Sequence, residues 1–136
     1  MANKPFDTHY VLLRMSVMNR KAFGLEGEEI VARYLEQRGF TILEKNYRKR
    51  FGEVDLIASN DTLLIFVEVK RRNRSYFDLA YLITPSKQKK IIMVAKSYLA
   101  QYDHEQKDCR FDVALLKQDQ VTYIPNAFQE GEYNGY

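Results

Sequence analysis

The sequence predicts an α/β domain in which helices flank a central mixed β-sheet. Two stretches with apolar residues at helical spacing alternate with several strand-like stretches. One of these strands is almost continuously apolar, as is typical of a strand buried on both faces. A chain of 136 residues has the length of one domain. The predicted order of elements is therefore α-β-β-β-α-β-β in a single domain.

The predicted domain covers residues 19–128. Residues 1–18 show no sustained period and are interpreted as an N-terminal extension, and residues 129–136 as a C-terminal tail. No stretch approaches the roughly 20 apolar residues of a membrane span, and the N-terminus lacks a signal-peptide pattern. We therefore expect a cytoplasmic protein without a membrane partner. The single cysteine, Cys109, excludes an internal disulfide and a Cys-based zinc cluster.

The first helix is expected to run from about Arg20 to Arg38. Asn19 is a plausible N-cap, and Gly39 is a natural stop. Its apolar positions recur at helical spacing: Ile30, Val31, Tyr34 and Leu35. Residues 40–43 are expected to form a short strand after the helix.

A β-hairpin follows this first region. Residues 53–59 (EVDLIAS) have the composition of a strand, and Asn60-Asp61 is a turn signal. Residues 63–69 (LLIFVEV) form the strongest predicted strand and are expected at the centre of the sheet. Residues 73–84 have no clear pattern.

The second helix is expected from Pro85 to about Tyr102, with Ser86 as its N-cap. Its predicted buried face consists of Ile91, Ile92, Ala95, Tyr98 and Leu99. Residues 110–116 and 121–124 are predicted to be two further strands, joined by a turn at residues 118–120.

Three short runs hold about half of the chain's 21 Lys and Arg residues and contain no Asp or Glu. They are residues 45–50 (KNYRKR), 70–74 (KRRNR) and 87–90 (KQKK). If the runs lie on one side of the fold, they form a phosphate-binding surface; the alternative is three separate solvated loops. The candidate nucleic-acid-binding residues are Lys45, Arg48, Lys49, Arg50, Arg71, Arg72, Arg74, Lys87, Lys89 and Lys90.

Charged side chains also interrupt the predicted hairpin. Glu68 and Lys70 lie at i and i+2 of the most apolar strand, so they project from the same face. A carboxylate in a central strand is costly unless it is paired or binds a metal. A two-residue turn at Asn60 and Asp61 would place Asp55 diagonal to Glu68, whereas a four-residue loop would place it directly opposite. Both registers put Asp55, Glu68 and Lys70 on one face.

Two neighbouring carboxylates repel each other unless a cation lies between them. Mg²⁺ prefers oxygen ligands and accepts one or two carboxylates together with a substrate phosphate, so Asp55 and Glu68 are candidate ligands. The main-chain carbonyl of Val69 could supply another oxygen. Lys70 could orient or deprotonate a water molecule or stabilise charge on phosphorus. The alternative is a Glu68–Lys70 salt bridge in a structural protein.

Three further acidic residues are weaker candidates. Glu28 shares the apolar face of the first helix and is expected to point toward the sheet, where it could bind metal or water. Glu53 lies two residues before Asp55, on the same face of the predicted strand, and is a candidate outer metal ligand. Asp112, in the fourth strand, is expected to pair with a nearby Arg or Lys.

At these residues the chain resembles a known group of proteins. Asp55 followed by Glu68-Val69-Lys70 resembles the PD-(D/E)xK nuclease signature, and residues 52–55 with Glu28 are similar to the archaeal Holliday-junction-resolvase branch. The chain is identified as a member of the YraN-like family of small bacterial proteins. The motifs are Gly24-x-x-Gly27-Glu28-x-x-x-Ala32-x-Tyr34-Leu35, Gly39-Phe40, Asn46-Tyr47-Arg48, Gly52-Glu53-Val54-Asp55-Leu56-Ile57-Ala58, Phe66-Val67-Glu68-Val69-Lys70-x-Arg72, Lys87-Gln88, Ala95-x-x-Tyr98-Leu99, Arg110-Phe111-Asp112-Val113 and Asn126-Ala127-Phe128.

The resemblance implies a restriction-endonuclease-like core and metal-dependent hydrolysis of DNA, branched or structured DNA included, in DNA processing, recombination or repair. The implied cofactor is Mg²⁺, with Mn²⁺ as a substitute. The implied site residues are Glu28, Asp55, Glu68 and Lys70, with Gln88 as a helper. A homodimer or a DNA-processing protein partner is also expected.

Two departures from the family pattern bear on these implications. Val54 stands before Asp55, where Pro is usual in this branch, and residues 76–83 lack the expected Gly and Pro. The alternative function is a catalytically weak or inactive nucleic-acid-binding module on a nuclease fold, acting within a DNA-processing complex.

Overall fold

Five strands form one mixed sheet in the order β1-β2-β3-β4-β5. The computed structural model describes residues 20–72, 83–104 and 106–131. Its elements are α1 (Arg20–Glu36), β1 (Thr41–Lys49), β2 (Gly52–Ser59), β3 (Leu63–Arg71), α2 (Pro85–Gln101), β4 (Asp108–Lys117) and β5 (Gln120–Phe128). Strands β3 and β4 are parallel, and the other neighbouring pairs are antiparallel. The predicted class and the predicted order of elements are confirmed.

Each face of the sheet is covered by one helix. On the α2 face, Phe66 packs with Tyr98 and Val113, and on the α1 face Leu35 packs with Leu56 and Val67. Burying an apolar side chain of this size stabilises the fold by roughly 1.5–3 kcal/mol. The four residues 64–67 of β3 are buried, which confirms the predicted central strand. Neither described helix is long and apolar enough to cross a membrane.

Helix α1 ends at Glu36, two residues before the predicted Arg38, and the chain turns at the predicted stop, Gly39. Gly39 has a φ of +87°, and the N–H of Phe40 donates to the carbonyl of Leu35 at 3.1 Å. Glycine adopts this left-handed conformation without steric cost, so it terminates the helix. Near the other end, a Cβ at Gly27 would lie 3.1 Å from Leu116 Cδ1, so α1 approaches the sheet closely there. The predicted N-cap, Asn19, lies outside the described residues.

Strand β1 is longer than predicted. The expected strand at residues 40–43 extends through most of the first basic run to Lys49. A register shift between Ile42 and Glu44 and a positive φ of 52° at Asn46 interrupt regular pairing. These irregularities and the run of charged residues hide the strand's alternation in the sequence. Strands β4 and β5 are likewise longer than predicted, and the turn between them contains Gln118 and Asp119.

Helix α2 begins at Pro85, as predicted, but its N-cap is a different residue. Its N-cap is Thr84, and the expected N-cap, Ser86, lies inside the first turn. The Oγ1 of Thr84 accepts the N–H of Lys87 at 3.3 Å. Pro85 occupies the first helical position, where its missing N–H costs nothing and its fixed φ suits the helix. The prediction of Ser86 as N-cap is therefore wrong because the proline belongs to the helix.

The β2–β3 hairpin has the four-residue loop, one of the two predicted registers. Ser59 pairs with Leu64, and Leu56 pairs with Val67. The side-chain oxygen of Asn60 accepts the N–H of Leu63 at 2.9 Å and stabilises the loop. The next step of this register puts residue 55 opposite residue 68, so the two candidate carboxylates face each other across the hairpin.

Candidate active site

The candidate site lies where the pairing between β2 and β3 stops. The last cross-strand pair is Leu56 with Val67. Beyond it, the main-chain N–H of Val69 donates to Oδ2 of Asp55 at 2.8 Å. A side chain of β2 therefore bonds the main chain of β3 at this point. This contact holds Asp55 beside Glu68.

Both carboxyl groups are buried. Asp55 is 9% exposed and Glu68 is 5% exposed. Burial, followed by the negative charge of Glu68, raises the pKa of Asp55 to about 8, although the hydrogen bond from Val69 opposes the shift. Near neutral pH the pair therefore carries a proton on Asp55 unless a cation binds.

Two lysines contact Glu68 from different elements. The Nζ of Lys87, at the start of α2, lies 2.6 Å from Oε1 of Glu68, and the Nζ of Lys70 lies 3.3 Å from the same oxygen. Burial, followed by the neighbouring Lys87, lowers the pKa of Lys70. Burial also disfavours the charged form of Lys87, but its contact with Glu68 outweighs burial and raises its pKa. Lys70 is thus the lysine that gives up a proton more readily.

Glu28 approaches the same end of the sheet from α1. Its Oε2 is buried and has no hydrogen-bond partner among the described residues. Burial raises the pKa of Glu28, the Asn46 side chain opposes the shift, and the charges of Glu53 and Glu68 add to it. A buried carboxylate oxygen without a partner is costly, so Glu28 is a candidate to receive a ligand or water.

The donor atoms at this site suit a hard cation. Asp55, Glu68 and the Val69 carbonyl are all oxygen donors, which Mg²⁺ and Mn²⁺ prefer. Across residues 20–72, 83–104 and 106–131, no three Asp, Glu, His or Cys side chains lie close enough together to hold a metal ion by themselves. A metal here would therefore take two carboxylates from the protein, and water or a substrate phosphate would complete its coordination.

Two other predicted residues are engaged elsewhere. Glu53 pairs with Arg48 at 2.7 Å on the surface. The side-chain amide of Gln88 donates to the Ile83 carbonyl at 2.9 Å, so it holds the chain as it enters α2. In this conformation Gln88 supports the helix that carries Lys87.

The described parts of the second and third basic runs meet at the site, and the first run lies beside the third. The first run occupies β1 and the start of the β1–β2 turn, and a Cβ at Gly52, the first residue of β2, would lie 3.2 Å from Cβ of Lys90 in the third run. The second and third runs meet where Lys70 and Lys87 contact Glu68. The first and third runs therefore lie on a strand and a helix rather than on loops, and a shared phosphate-binding surface stays a prediction.

The individual cations differ in their contacts. Lys45 pairs with Glu29 at 2.5 Å, and Arg71 pairs with Asp119 at 2.7 Å. Lys49 lies over a tyrosine ring. Other candidate cations are exposed: Arg50, Arg72, Lys89 and Lys90. Arg74 lies outside the described residues.

The contact between Lys87 and Glu68 was not predicted. The sequence placed Lys87 only among the phosphate-contacting residues, because nothing in the linear pattern links the start of α2 to the fourth residue from the end of a strand. Only the packing of α2 on the sheet brings the two groups together.

The fold is also found in a nuclease of known structure. The chain is similar to Hjc, a Holliday junction resolvase from the archaeal hyperthermophile Archaeoglobus fulgidus, with a TM-score of 0.53 and 17% sequence identity. The match covers 75% of this chain and 71% of that chain. This likeness shows the fold, and the predicted restriction-endonuclease-like core is confirmed.

Sequence relatives identify the family. Residues 27–116 match the uncharacterised protein family UPF0102, so the chain belongs to that family, as the predicted YraN-like membership requires. A UPF0102 protein of Nitrosomonas eutropha is 44% identical over 110 residues, covering 79% of this chain and 94% of the relative. A UPF0102 protein of Treponema pallidum is 39% identical over 123 residues, covering 82% and 96%.

Proposed function

We propose that this protein is a metal-dependent endonuclease that hydrolyses phosphodiester bonds of DNA, with branched or structured DNA as the preferred substrate. The observation that carries the proposal is the buried Asp55–Glu68 pair, with Lys70 beside it, at the point where the second and third basic runs meet. The likeness of the fold to a Holliday junction resolvase supports a nuclease acting on branched DNA.

Asp55, Glu68 and the Val69 carbonyl would hold Mg²⁺, with Mn²⁺ as a substitute. When bound, such an ion activates water and neutralises charge on the phosphate. The proton on Asp55 must leave before this residue can act as a ligand, so metal affinity should increase with pH. Glu28, with an unpartnered oxygen, could position a water molecule at the edge of the site.

Lys70 is the proposed partner of the attacking water. It projects from the same face of β3 as Glu68 and is largely buried. Its lowered pKa makes the neutral amine, which can accept a proton from water, more accessible near neutral pH. In its charged form the same group would stabilise negative charge that develops on the phosphate.

The cations of the basic runs would bind the DNA backbone on either side of the scissile bond. Phosphate contacts of this kind orient the duplex without reading its sequence, which suits recognition of DNA shape. We place the activity in the cytoplasm. Cutting both strands of a four-way junction requires two active sites, which a homodimer or a DNA-processing partner would supply.

A cleavage assay tests the proposal directly. Wild-type protein, Asp55→Asn and Lys70→Ala are incubated with linear, flapped, single-stranded and four-way-junction DNA in Mg²⁺, Mn²⁺ or EDTA. Lys96→Met, which removes an exposed lysine from the far half of α2, is the matched control. We expect metal-dependent cutting by wild type and by the control, and a loss of about 10²-fold or more in both site variants. Cutting by Asp55→Asn at the wild-type rate would contradict the proposal.

A second function is favoured by two observations. Lys70 and Lys87 both form ion pairs with Glu68. The described residues contain no group of three metal-ligating side chains. This arrangement would also suit a nucleic-acid-binding module without catalysis. That alternative predicts gel shifts with the same DNA panel, unchanged in Asp55→Asn, and no cutting with either metal.

A further inference from the structure

We propose that Lys87 is a displaceable counter-ion of Glu68. In the metal-free protein its ammonium group occupies the carboxylate oxygen that a metal ion would take, and metal binding releases it toward a phosphate of the substrate. This inference rests on the proposed metal-dependent function. It assigns Lys87 as a positioning residue rather than as a general surface cation.

The geometry distinguishes Lys87 from Lys70. Both contact Oε1 of Glu68, but Lys87 is closer, at 2.6 Å against 3.3 Å. The side chain of Lys87 is 40% exposed, whereas that of Lys70 is 17% exposed and that of Glu68 is 5% exposed. Lys87 therefore reaches a buried carboxylate from the solvent side and can leave it without crossing the core.

The main chain beneath Lys87 is fixed while its ammonium group is not. Thr84 caps α2 by accepting the N–H of Lys87, and the N–H of Gln88 donates to the Thr84 carbonyl at 2.9 Å. A lysine side chain has a flexible four-carbon stem. The ammonium group can therefore move by several ångströms while the helix start stays in place.

The position of Lys87 in α2 also favours an anionic partner. The first turn of α2 contains Lys87 and no acidic residue. Cations are unfavourable near a helix N-terminus, where the helix dipole is positive. Glu68 compensates for this in the metal-free protein, and a phosphate group near the same helix start would compensate after release.

Competition for one oxygen has a measurable consequence. Metal can bind with full affinity only in the fraction of molecules in which Lys87 has left Glu68. Removing the ammonium group should therefore tighten metal binding. A lysine that merely stabilised the site structurally would have the opposite effect, because its loss would disorder the carboxylates.

The experiment is a calorimetric titration with Mn²⁺, without DNA, on wild type, Lys87→Met, Lys87→Gln and the control Lys96→Met. Lys96 is exposed, lies on the same helix and carries the same charge. If Lys87 occupies Glu68 about nine-tenths of the time, both Lys87 variants should bind Mn²⁺ about tenfold more tightly than wild type. The control should stay within about twofold of wild type, since its only effect is long-range and screened.

A second measurement uses the wild-type protein and does not depend on how a variant folds. In the NMR spectrum of lysine side chains, the Cε–Hε signal of Lys87 is assigned by its absence from Lys87→Gln. We expect this signal to move toward its solvent-exposed position when Mg²⁺ is added. A signal that stays unchanged while Mg²⁺ binds would overturn the inference.

The outcomes separate this inference from the proposed function. Equal or weaker Mn²⁺ binding by both Lys87 variants, with clear binding by wild type, would overturn the counter-ion role and leave the metal site standing. No Mn²⁺ binding by wild type or either variant would overturn both. Binding by the Lys87 variants alone would support the inference in its strongest form.

Discussion

Two sites in the same sheet contain buried carboxylates, and they differ in how completely those carboxylates are hydrogen-bonded. Asp112 in β4 is 0% exposed, and Arg110 donates to both of its oxygens, at 2.8 and 2.9 Å. The Tyr123 hydroxyl donates to it at 2.5 Å and the Asn126 N–H at 2.8 Å. Burial and the hydrogen bond to Asp112 raise the pKa of Tyr123. The predicted pairing of Asp112 with a nearby cation is confirmed.

The Asp55–Glu68 pair is held much less completely. Asp55 accepts one main-chain N–H and otherwise faces a second carboxyl group. Glu68 relies on two lysines at one of its oxygens, and Glu28 nearby has an oxygen without a partner among the described residues. Buried carboxylates with filled hydrogen-bonding capacity hold a fold together, whereas incompletely satisfied ones are typical of ligand sites.

The largest expected difference between the two sites is in stability. Asp112→Ala leaves Arg110 half-buried without its anion and frees a main-chain N–H, so it should lower the free energy of unfolding by about 3–5 kcal/mol. Asp55→Asn should cause no loss in the metal-free protein, because the neutral amide keeps an oxygen that can accept the Val69 N–H and, unlike Asp55, does not have to be held protonated beside Glu68 at pH 7.5. Urea denaturation of both variants at pH 7.5 measures this. Similar losses in the two would mean that both carboxylates are structural.

A smaller difference is expected in the response to metal. Mn²⁺ at about 100 times its Kd should stabilise wild type by about 2.7 kcal/mol, since it binds the folded state. Asp55→Asn and Glu68→Gln should lose this gain. Arg110→Lys, which perturbs the Asp112 cluster alone, should keep it. Thermal melts with and without Mn²⁺ provide the test, and an equal shift in all four proteins would argue against the assigned ligands.

The dependence of stability on pH gives the next smaller effect. The pKa of Asp55 is about 8 when folded and about 3.9 in the unfolded chain. Between these two pKa values the folded state retains a proton that the unfolded state loses. The stability that the protonated Asp55 contributes is therefore complete below about pH 4 and is lost progressively as the pH rises to 8. In EDTA, the free energy of unfolding of Asp55→Asn relative to that of wild type should therefore rise by at least about 1 kcal/mol between pH 5 and pH 8. A constant difference between the two proteins over this range would contradict the assigned shift.

The smallest expected effect concerns a surface pair. Arg48 pairs with Glu53 and is 66% exposed, so Arg48→Gln should change the Tm by less than about 2 °C. Its predicted role is in DNA binding, where losing one phosphate contact should reduce the slope of log K against log salt by about 0.9. Fluorescence anisotropy at several salt concentrations measures the slope. An unchanged slope would remove Arg48 from the proposed DNA surface.

Several features of the site could be predicted because they depend on local order along the chain. The E-x-K spacing puts Glu68 and Lys70 on one face of any strand, and the apolar run around them makes that strand central. The parity of Asp55 brings it to the same face in either hairpin register. The choice between the two registers depended on Asn60 capping a four-residue loop, a detail of turn geometry that composition does not determine.

The order of elements, the central strand and the carboxylates that share its face can be predicted from the amino-acid pattern, because strand periodicity and apolar patterning are local properties. The cations that meet those carboxylates are known only from the packing of distant elements. Lys87 lies 19 positions after Glu68 in the chain, and no local pattern relates them. Their contact arises because α2 packs across the sheet, and its capped first turn lies above the end of β3. A buried negative charge requires a partner at that point.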